Sequence, residues 1–287
     1  MSWQLTDDVE EFRRVADRYL ARDAARNTVL LTVTESLRQG GGGGVSQGPA
    51  LFGWWREAEG AEVTGAFMRT PPQPPFLGPM SDSVAKELAA VLRSVDAAPE
   101  VSGVRGETPA AEAFADAWTG GAGNWRTTEG MRLFRLGELT PVRPAPAGRA
   151  RLAVAADVPL VARWMIAFDI DVHESVTRDY TVVAAQRIAE ERLLLWELDG
   201  EPVSMAGRSL LIAGQIRVAP VYTPAPLRGR GYAGAVTAAV SRNALDAGAE
   251  QVLLYTDTAN PTSNALYQRL GYRHIADYAL LDLSGGE

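Results

Sequence analysis

Apolar residues recur at helical spacing twice near the start of the chain, at Phe12, Val15, Tyr19 and Leu20 and again at Val29, Leu30, Leu31 and Val33. This pattern predicts two helices across residues 7–38. Residues 51–56 and 62–69 read as paired strands, and Pro71, Pro72, Pro74 and Pro75 then break any ladder. An amphipathic helix follows at 81–95, where Ser81 or Asp82 can cap the start and Val84, Leu88, Val91 and Leu92 form the apolar stripe. A strand at 101–104, a helix at 109–118 and a strand at 131–136 complete the first half. The glycine run at 40–44 has no side chains to pack and is expected to be a flexible surface loop.

Residues 140–149 contain three prolines and read as a short, semi-rigid linker or as an edge strand crossing between domains. Beyond them a similar order begins again. Helices are expected at 155–168 and 181–191, and strands at 193–198, 202–211 and 215–222, with Asp199-Gly200 as a tight turn. A helix at 231–247, a strand at 251–257, a helix at 261–270 and a strand at 273–283 close the chain. Apart from one extra strand, the second half repeats the order of the first without visible sequence identity, which suggests a duplicated fold. The division this implies is 1–139, a linker at 140–149, and 150–287.

Composition narrows the function. The chain has 287 residues, 46% of them hydrophobic and 22% charged, the balance of a soluble globular protein with room for two domains. A net charge of −7 argues against a nucleic-acid partner. The absence of cysteine excludes disulfides, thiolate metal sites and a cysteine nucleophile, and with only His173 and His274 a histidine-rich metal site is also excluded. The polar, acidic stretch at 1–11 lacks the pattern of a signal peptide, and no apolar run is long enough for a membrane span. A soluble, cytoplasmic protein is expected.

The candidate chemistry lies in Val221-Tyr222-Thr223-Pro224-Ala225-Pro226-Leu227-Arg228-Gly229-Arg230-Gly231-Tyr232-Ala233, between a strand and a helix. Prolines end the strand pairing there and leave backbone groups near 221–223 available to a ligand. Gly229 and Gly231 let the main chain bend sharply and approach a ligand closely. The helix that follows directs its unpaired N–H groups and positive dipole end at the loop, and Arg228 and Arg230 add charge. Gly229-x-Gly231-x-x-Gly234 also satisfies the dinucleotide fingerprint, but the strands before it look antiparallel rather than part of a βαβ unit. No Gly-Lys-Ser/Thr follows, so a Walker loop is absent.

This segment resembles the acetyl-CoA signature of the GNAT superfamily of N-acetyltransferases, Arg/Gln-x-x-Gly-x-Gly/Ala, met here by Arg228, Gly231 and Ala233. A second family-like segment runs from Asn260-Pro261-Thr262-Ser263-Asn264 to Tyr267 and Gly271-Tyr272. The resemblance covers roughly residues 145–283. It implies an α/β (α+β) fold of two GNAT-like domains, each a mixed, mostly antiparallel twisted sheet flanked by helices. It also implies that Val221, Tyr222 and Thr223 line the pantetheine arm, that Arg228, Gly229, Arg230, Gly231, Tyr232 and Ala233 hold the phosphates, and that Asn260 and Asn264 lie near CoA. Tyr267 would give a proton to the departing sulfur. The implied reaction is direct acetyl transfer from acetyl-CoA to a primary amine of a small molecule or peptide, with no metal.

Asp169, Asp171, His173 and Glu174 fall where relatives commonly contact the acceptor; they either attract a cationic amine or form a solvated surface loop. In the first half the corresponding loop reads Pro74-Pro75-Phe76-Leu77-Gly78-Pro79-Met80, with one glycine and no arginine. That half is expected to be a degenerate acetyltransferase-like domain, with Trp54, Trp55, Trp118 and Trp125 serving as core. Two alternatives stay open: a non-catalytic acetyl-CoA-binding sensor or scaffold, and transfer of an acyl group to oxygen or of a longer acyl chain.

Overall fold

A computed structural model describes residues 2–39, 48–95, 101–121, 123–172, 176 and 179–284. The glycine run at 40–44 lies outside these. The first half runs β1 (Ser2–Thr6), α1 (Val9–Arg22), α2 (Thr28–Arg38), β2 (Leu51–Arg56), β3 (Val63–Arg69), β4 (Phe76–Leu77), α3 (Asp82–Ser94), β5 (Gly103–Glu107), α4 (Thr108–Thr119) and β6 (Arg126–Leu136). The second half runs β7 (Arg149–Leu152), α5 (Val158–Asp171), α6 (Tyr180–Ala189), β8 (Leu193–Leu198), β9 (Glu201–Arg208), β10 (Gln215–Tyr222), α7 (Tyr232–Asp246), β11 (Gln251–Asp257), α8 (Pro261–Arg269) and β12 (Tyr272–Asp282). None of the described helices is long and apolar enough to cross a membrane.

The two halves therefore have the same order of elements, and the extra strand expected in the second half has a counterpart in the first. That counterpart is β4, two residues set among prolines, too short to show a period in the sequence. Strand β1 was also absent from the pattern because its sequence is mostly polar. It pairs antiparallel with β2, and Trp3 opposite Trp55 gives it a buried anchor. Of the two readings of 140–149, a strand is present only from Arg149 onward, as β7 antiparallel to β8.

Most pairings are antiparallel: β1 with β2, β2 with β3, β3 with β4, β7 with β8, β8 with β9 and β9 with β10. Among the described pairings two are parallel, β4 with β5 and β10 with β11, each joined by a crossover helix as parallel geometry requires.

The chain forms two compact units, and neither is an unbroken stretch. One comprises Met1–Leu133, Asp257–Ala259 and Ala276–Glu287, the other Phe134–Thr256 and Asn260–Ile275. The sequence suggests a division at 140–149, whereas the units divide inside β6 and β12. The cause is a ladder: Tyr278 to Asp282 of β12 pair antiparallel with Glu107 to Gly103 of β5, which ties the end of the chain into the first unit.

In the first unit Trp3, Trp55, Phe67, Leu88 and Phe114 share a core with Leu281 from β12. The tryptophans expected as core behave so: Trp54 and Trp55 are buried, and Trp118 and Trp125 pack against the cluster. Among the described residues, two cores stand out in the second unit. In one, Val236 and Val240 of α7 meet Ile216 and Val218 of β10 and Val252 and Leu254 of β11. In the other, Val161 and Met165 of α5 and Ala184 and Ile188 of α6 cover Leu193, Leu195 and Met205.

Candidate active site

Strands β10 and β11 run parallel only over Gln215 to Arg217 opposite Gln251 to Leu253. Beyond that rung β10 departs. Its register with β9 shifts between Val218 and Val221, and Arg187 of α6 donates from Nη1 to the Ala219 carbonyl at 3.0 Å. Pro220 brings no N–H to the strand. Pairing with β9 resumes as Val221 opposite Ala206 and Tyr222 opposite Met205. The edge of β10 that faced β11 thus leaves its ladder partway, which is the backbone an extended ligand could pair with.

After Tyr222 the chain is held from below. The Ser204 hydroxyl donates to the Tyr222 carbonyl at 2.9 Å and lies 2.8 Å from the Thr223 hydroxyl, both side chains being buried. A 3-10 turn, Ala225–Leu227, leads to Gly229 and Gly231, which have φ of +78° and +84°. These left-handed conformations suit glycine and strain other residues. Gly231 caps α7 and has no side-chain hydrogen bond to give, while the Ala235 N–H bonds to the Gly231 carbonyl. The N–H groups of Tyr232, Ala233 and Gly234 therefore open the helix with no side-chain cap, at its positive dipole end.

Gly234 has a different role. A Cβ there would stand 2.8 Å from Val142 Cγ2 and 2.9 Å from Leu266 Cδ1, so glycine lets α8 approach the first turn of α7.

On α8, Asn260 is the N-cap, its side chain accepting the Ser263 N–H at 3.0 Å. Asn264 is buried and donates from Nδ2 to the Asn260 carbonyl at 2.7 Å. Tyr267 is buried with its ring edge-on to Tyr272, centroids 6.1 Å apart. Burial pushes the Tyr267 hydroxyl up to about 12, so it holds its proton throughout the neutral range.

The charged residues depart from expectation. Arg228 does not extend toward the amides of α7. It donates from Nε to the Thr223 carbonyl at 2.9 Å, pairs through Nη2 with Asp171 at the end of α5, and lies 5.9 Å from the Tyr222 ring centre. Arg230 makes one long contact, 3.4 Å from Nη2 to the Pro226 carbonyl. Asp169 accepts from the Tyr180 hydroxyl and ties α5 to α6. The two described carboxylates of the acidic cluster are thus already partnered. His173 and Glu174 lie outside the described residues. Among the described residues, no group of three or more histidine or acidic side chains could hold a metal ion.

Sequence reasoning missed Ser204, Arg187 and the Asp171–Arg228 pair. A serine inside an otherwise apolar strand was the available clue for Ser204; the other two depend on contacts between residues distant in the chain.

The corresponding helix start in the first half is α3. Ser81 caps it, accepting the Val84 N–H at 3.5 Å. Tyr19 donates to the Pro79 carbonyl, and the Gly78 N–H bonds to the Ala66 carbonyl at 2.8 Å.

Residues 203–280, from β9 into β12, match the FR47-like protein family. No curated protein matches the sequence. Solved structures match over the whole length. A GCN5-related N-acetyltransferase from Sphaerobacter thermophilus is 16% identical, with 99% of this chain and 97% of that one covered and a TM-score of 0.64. A GNAT-family acetyltransferase from Colwellia psychrerythraea is 10% identical, with 98% of each chain covered and a TM-score of 0.63. A tandem GNAT protein from the clavulanic acid biosynthesis pathway is 11% identical, with 100% of each chain covered and a TM-score of 0.59. The repeated order of elements, the parting of β10 from β11 and these full-length likenesses together give the chain a tandem GNAT acetyltransferase fold.

Proposed function

We propose that the chain is an N-acetyltransferase that moves an acetyl group from acetyl-CoA to a primary amine, with the second half as its catalytic part. The observation that carries this is the start of α7: two left-handed glycines lead into a helix with no side-chain cap, directly after a strand that has left its ladder. That start suits the pyrophosphate of CoA, which needs backbone N–H donors and no competing carboxylate. The free edge of β10 at Val221, Tyr222 and Thr223 suits the amide-bearing pantetheine arm. Asn264 and Tyr267 stand on the helix packed against the same turn.

In the reaction the amine nitrogen forms a bond to the acetyl carbon as the carbon–sulfur bond breaks. The amine gives up a proton to solvent water and the sulfur leaves as a thiol. Tyr267, kept protonated by burial, supplies the proton to sulfur and regains one from solvent before the next turnover. The start of α3 is filled by Ser81 and held by Tyr19, which supports one CoA site per chain.

Calorimetric titration with acetyl-CoA, followed by thiol release over a panel of amines, tests the proposal. One saturable site with amine-dependent release is expected. Binding without release on any amine would favour the sensor or scaffold alternative, and absence of binding would sink both.

A further inference from the structure

Arg217 occupies the last rung on which β10 and β11 pair, opposite Leu253. Its neighbours Ile216 and Val218 point into the core shared with α7, so strand alternation puts Arg217 on the other face, toward α5. Leu253 and Tyr255 of β11 share that face by the same alternation, since Val252 and Leu254 belong to the α7 core. Tyr222, farther along β10, packs on the α5 and α6 core.

A guanidinium in such a place would ordinarily be met by a carboxylate. Here its Nη1 is sealed from solvent without a hydrogen-bond partner, and the side chain has no ion pair with any described residue. Its main-chain N–H is satisfied by Ser209 Oγ at 2.9 Å, so the donor left sealed without a partner is Nη1 of the side chain. Burial lowers its pKa, and the neighbouring group that opposes the shift is the Tyr255 phenol rather than an acid. Asp169 and Asp171, the acids closest in role, are committed to Tyr180 and Arg228. Arg217 as a whole is half-buried, so the cost to the fold falls on its one sealed donor, Nη1, and such a cost is characteristic of functional positions.

We propose that Arg217 anchors a carboxylate on the acceptor, so that the acetylated amine belongs to a small amino acid rather than to a simple amine. This rests on the acyl-transfer reading, in which the parted strands take the pantetheine arm and Arg217 stands at the inner end of that opening. A fork of N–H donors there would hold the carboxylate in two-point contact and fix the amine relative to the acetyl carbon. The acceptor would then be selected by its negative end, in contrast to the cation attraction that the acidic residues of the sequence suggest.

The test uses the full chain as wild type, Arg217→Met and Arg217→Lys. Melting is first followed without acetyl-CoA, with acetate, phenylalanine and phenethylamine as probes. Arg217→Met is expected to melt above wild type when no probe is present, because a sealed donor without a partner has gone. Acetate and phenylalanine should raise the melting temperature of wild type and leave that of Arg217→Met unchanged. In the thiol-release assay phenylalanine should exceed phenethylamine in kcat/KM by at least about thirtyfold, the scale of leaving a buried ionic partner unmet. Arg217→Met should erase that preference and Arg217→Lys should retain part of it.

A lower melting temperature for probe-free Arg217→Met would overturn the proposal, as would equal stabilisation of both proteins by carboxylates or equal turnover of amine and amino acid. Carboxylate stabilisation confined to wild type in a protein that fails to bind acetyl-CoA would sink the acyl-transfer reading and leave the anion site standing.

Discussion

Helix α3 begins at Ser81, whose hydroxyl accepts an N–H of its own first turn, while α7 begins at Gly231, which has no side chain to offer. Both helices follow a strand that pairs in parallel with the next strand of its half, and both occupy the same place in the repeated order. Around α3 the space is closed. A Cβ on Gly78 would lie 2.9 Å from Leu30 Cδ1 and 3.0 Å from both Asn27 Oδ1 and the Tyr19 hydroxyl. Around Gly229 a Cβ would meet nothing. The same backbone slot has been filled in one half and left open in the other. A helix start without a side-chain cap leaves its first N–H groups to solvent or to a ligand, which makes it informative about a ligand.

The strongest way to break this contrast is to give α7 what α3 already has. Gly231→Asp adds a side-chain cap and a negative charge at the same point, in a left-handed conformation that costs about 1–2 kcal/mol. It should weaken CoA binding by at least about a hundredfold, since a carboxylate takes the place of the phosphate at the helix dipole. Calorimetry checks it. CoA binding that survives Gly231→Asp would move the phosphate site elsewhere, with α3 the first place to look.

Next in size is Tyr267. Counted from the proline at the helix start, Pro109 in α4 and Pro261 in α8, the first half has Ala115 where the second has Tyr267. Tyr267→Phe should lower kcat by about a hundredfold, as expected for loss of a general acid, with the acetyl-CoA affinity nearly unchanged. Because burial raises the hydroxyl to about 12 in the folded chain, its ionised form is disfavoured there. The associated stability is complete below the ordinary tyrosine pKa and is lost as pH rises from about 10 towards 12. Rates measured up to about pH 10 should therefore show no falling limb that Tyr267→Phe removes. Full activity in Tyr267→Phe would end its assignment as the acid.

Much of this contrast could be read from the sequence because its causes are local. A glycine pair before a helix, and a serine in the same position elsewhere, each announce a backbone state within a few residues. The helices were legible for the same reason, since Val84, Leu88 and Leu92 mark a buried stripe by spacing alone. Strand β4 escaped because two residues carry no period, and β1 because its one deep anchor, Trp3, stands among polar neighbours. The partner of β12 was not legible, because the ladder to β5 joins Tyr278 to Glu107, far apart in the chain. Ion pairing was hidden likewise: Arg228 and Asp171 are 57 residues apart, so an arginine expected to face phosphate could not be seen to face a carboxylate.

The cap of α3 offers a smaller test. Ser81→Ala should cost about 1 kcal/mol of stability, the usual worth of an N-cap, and lower the melting temperature by about 3 °C. It should leave the CoA affinity and the stoichiometry of one site untouched. A second CoA site appearing in Ser81→Ala would mean that the first half is held closed by its cap alone, and that the two halves differ far less than their loops suggest.

The smallest effect is expected at Asp171. Its pair with Arg228 is exposed, with side-chain accessibilities of 44% and 50%, so it is worth at most about 1 kcal/mol. The other holds on Arg228, the Thr223 carbonyl and the Tyr222 ring, lie beside the loop and do not depend on Asp171. Asp171→Asn removes the one contact that competes with phosphate for the outer nitrogen Nη2. CoA should then bind up to about fivefold tighter at low ionic strength. The gain should fade above about 0.5 M salt, where charges at this exposure are screened over a few ångströms. No arginine stands in the loop before α3, so this adjustment is possible only in the second half. Weaker CoA binding in Asp171→Asn would reverse the assignment: the carboxylate would then hold Arg228 in its binding pose, and the charge at the open helix start would be organised from α5 as well as from the loop.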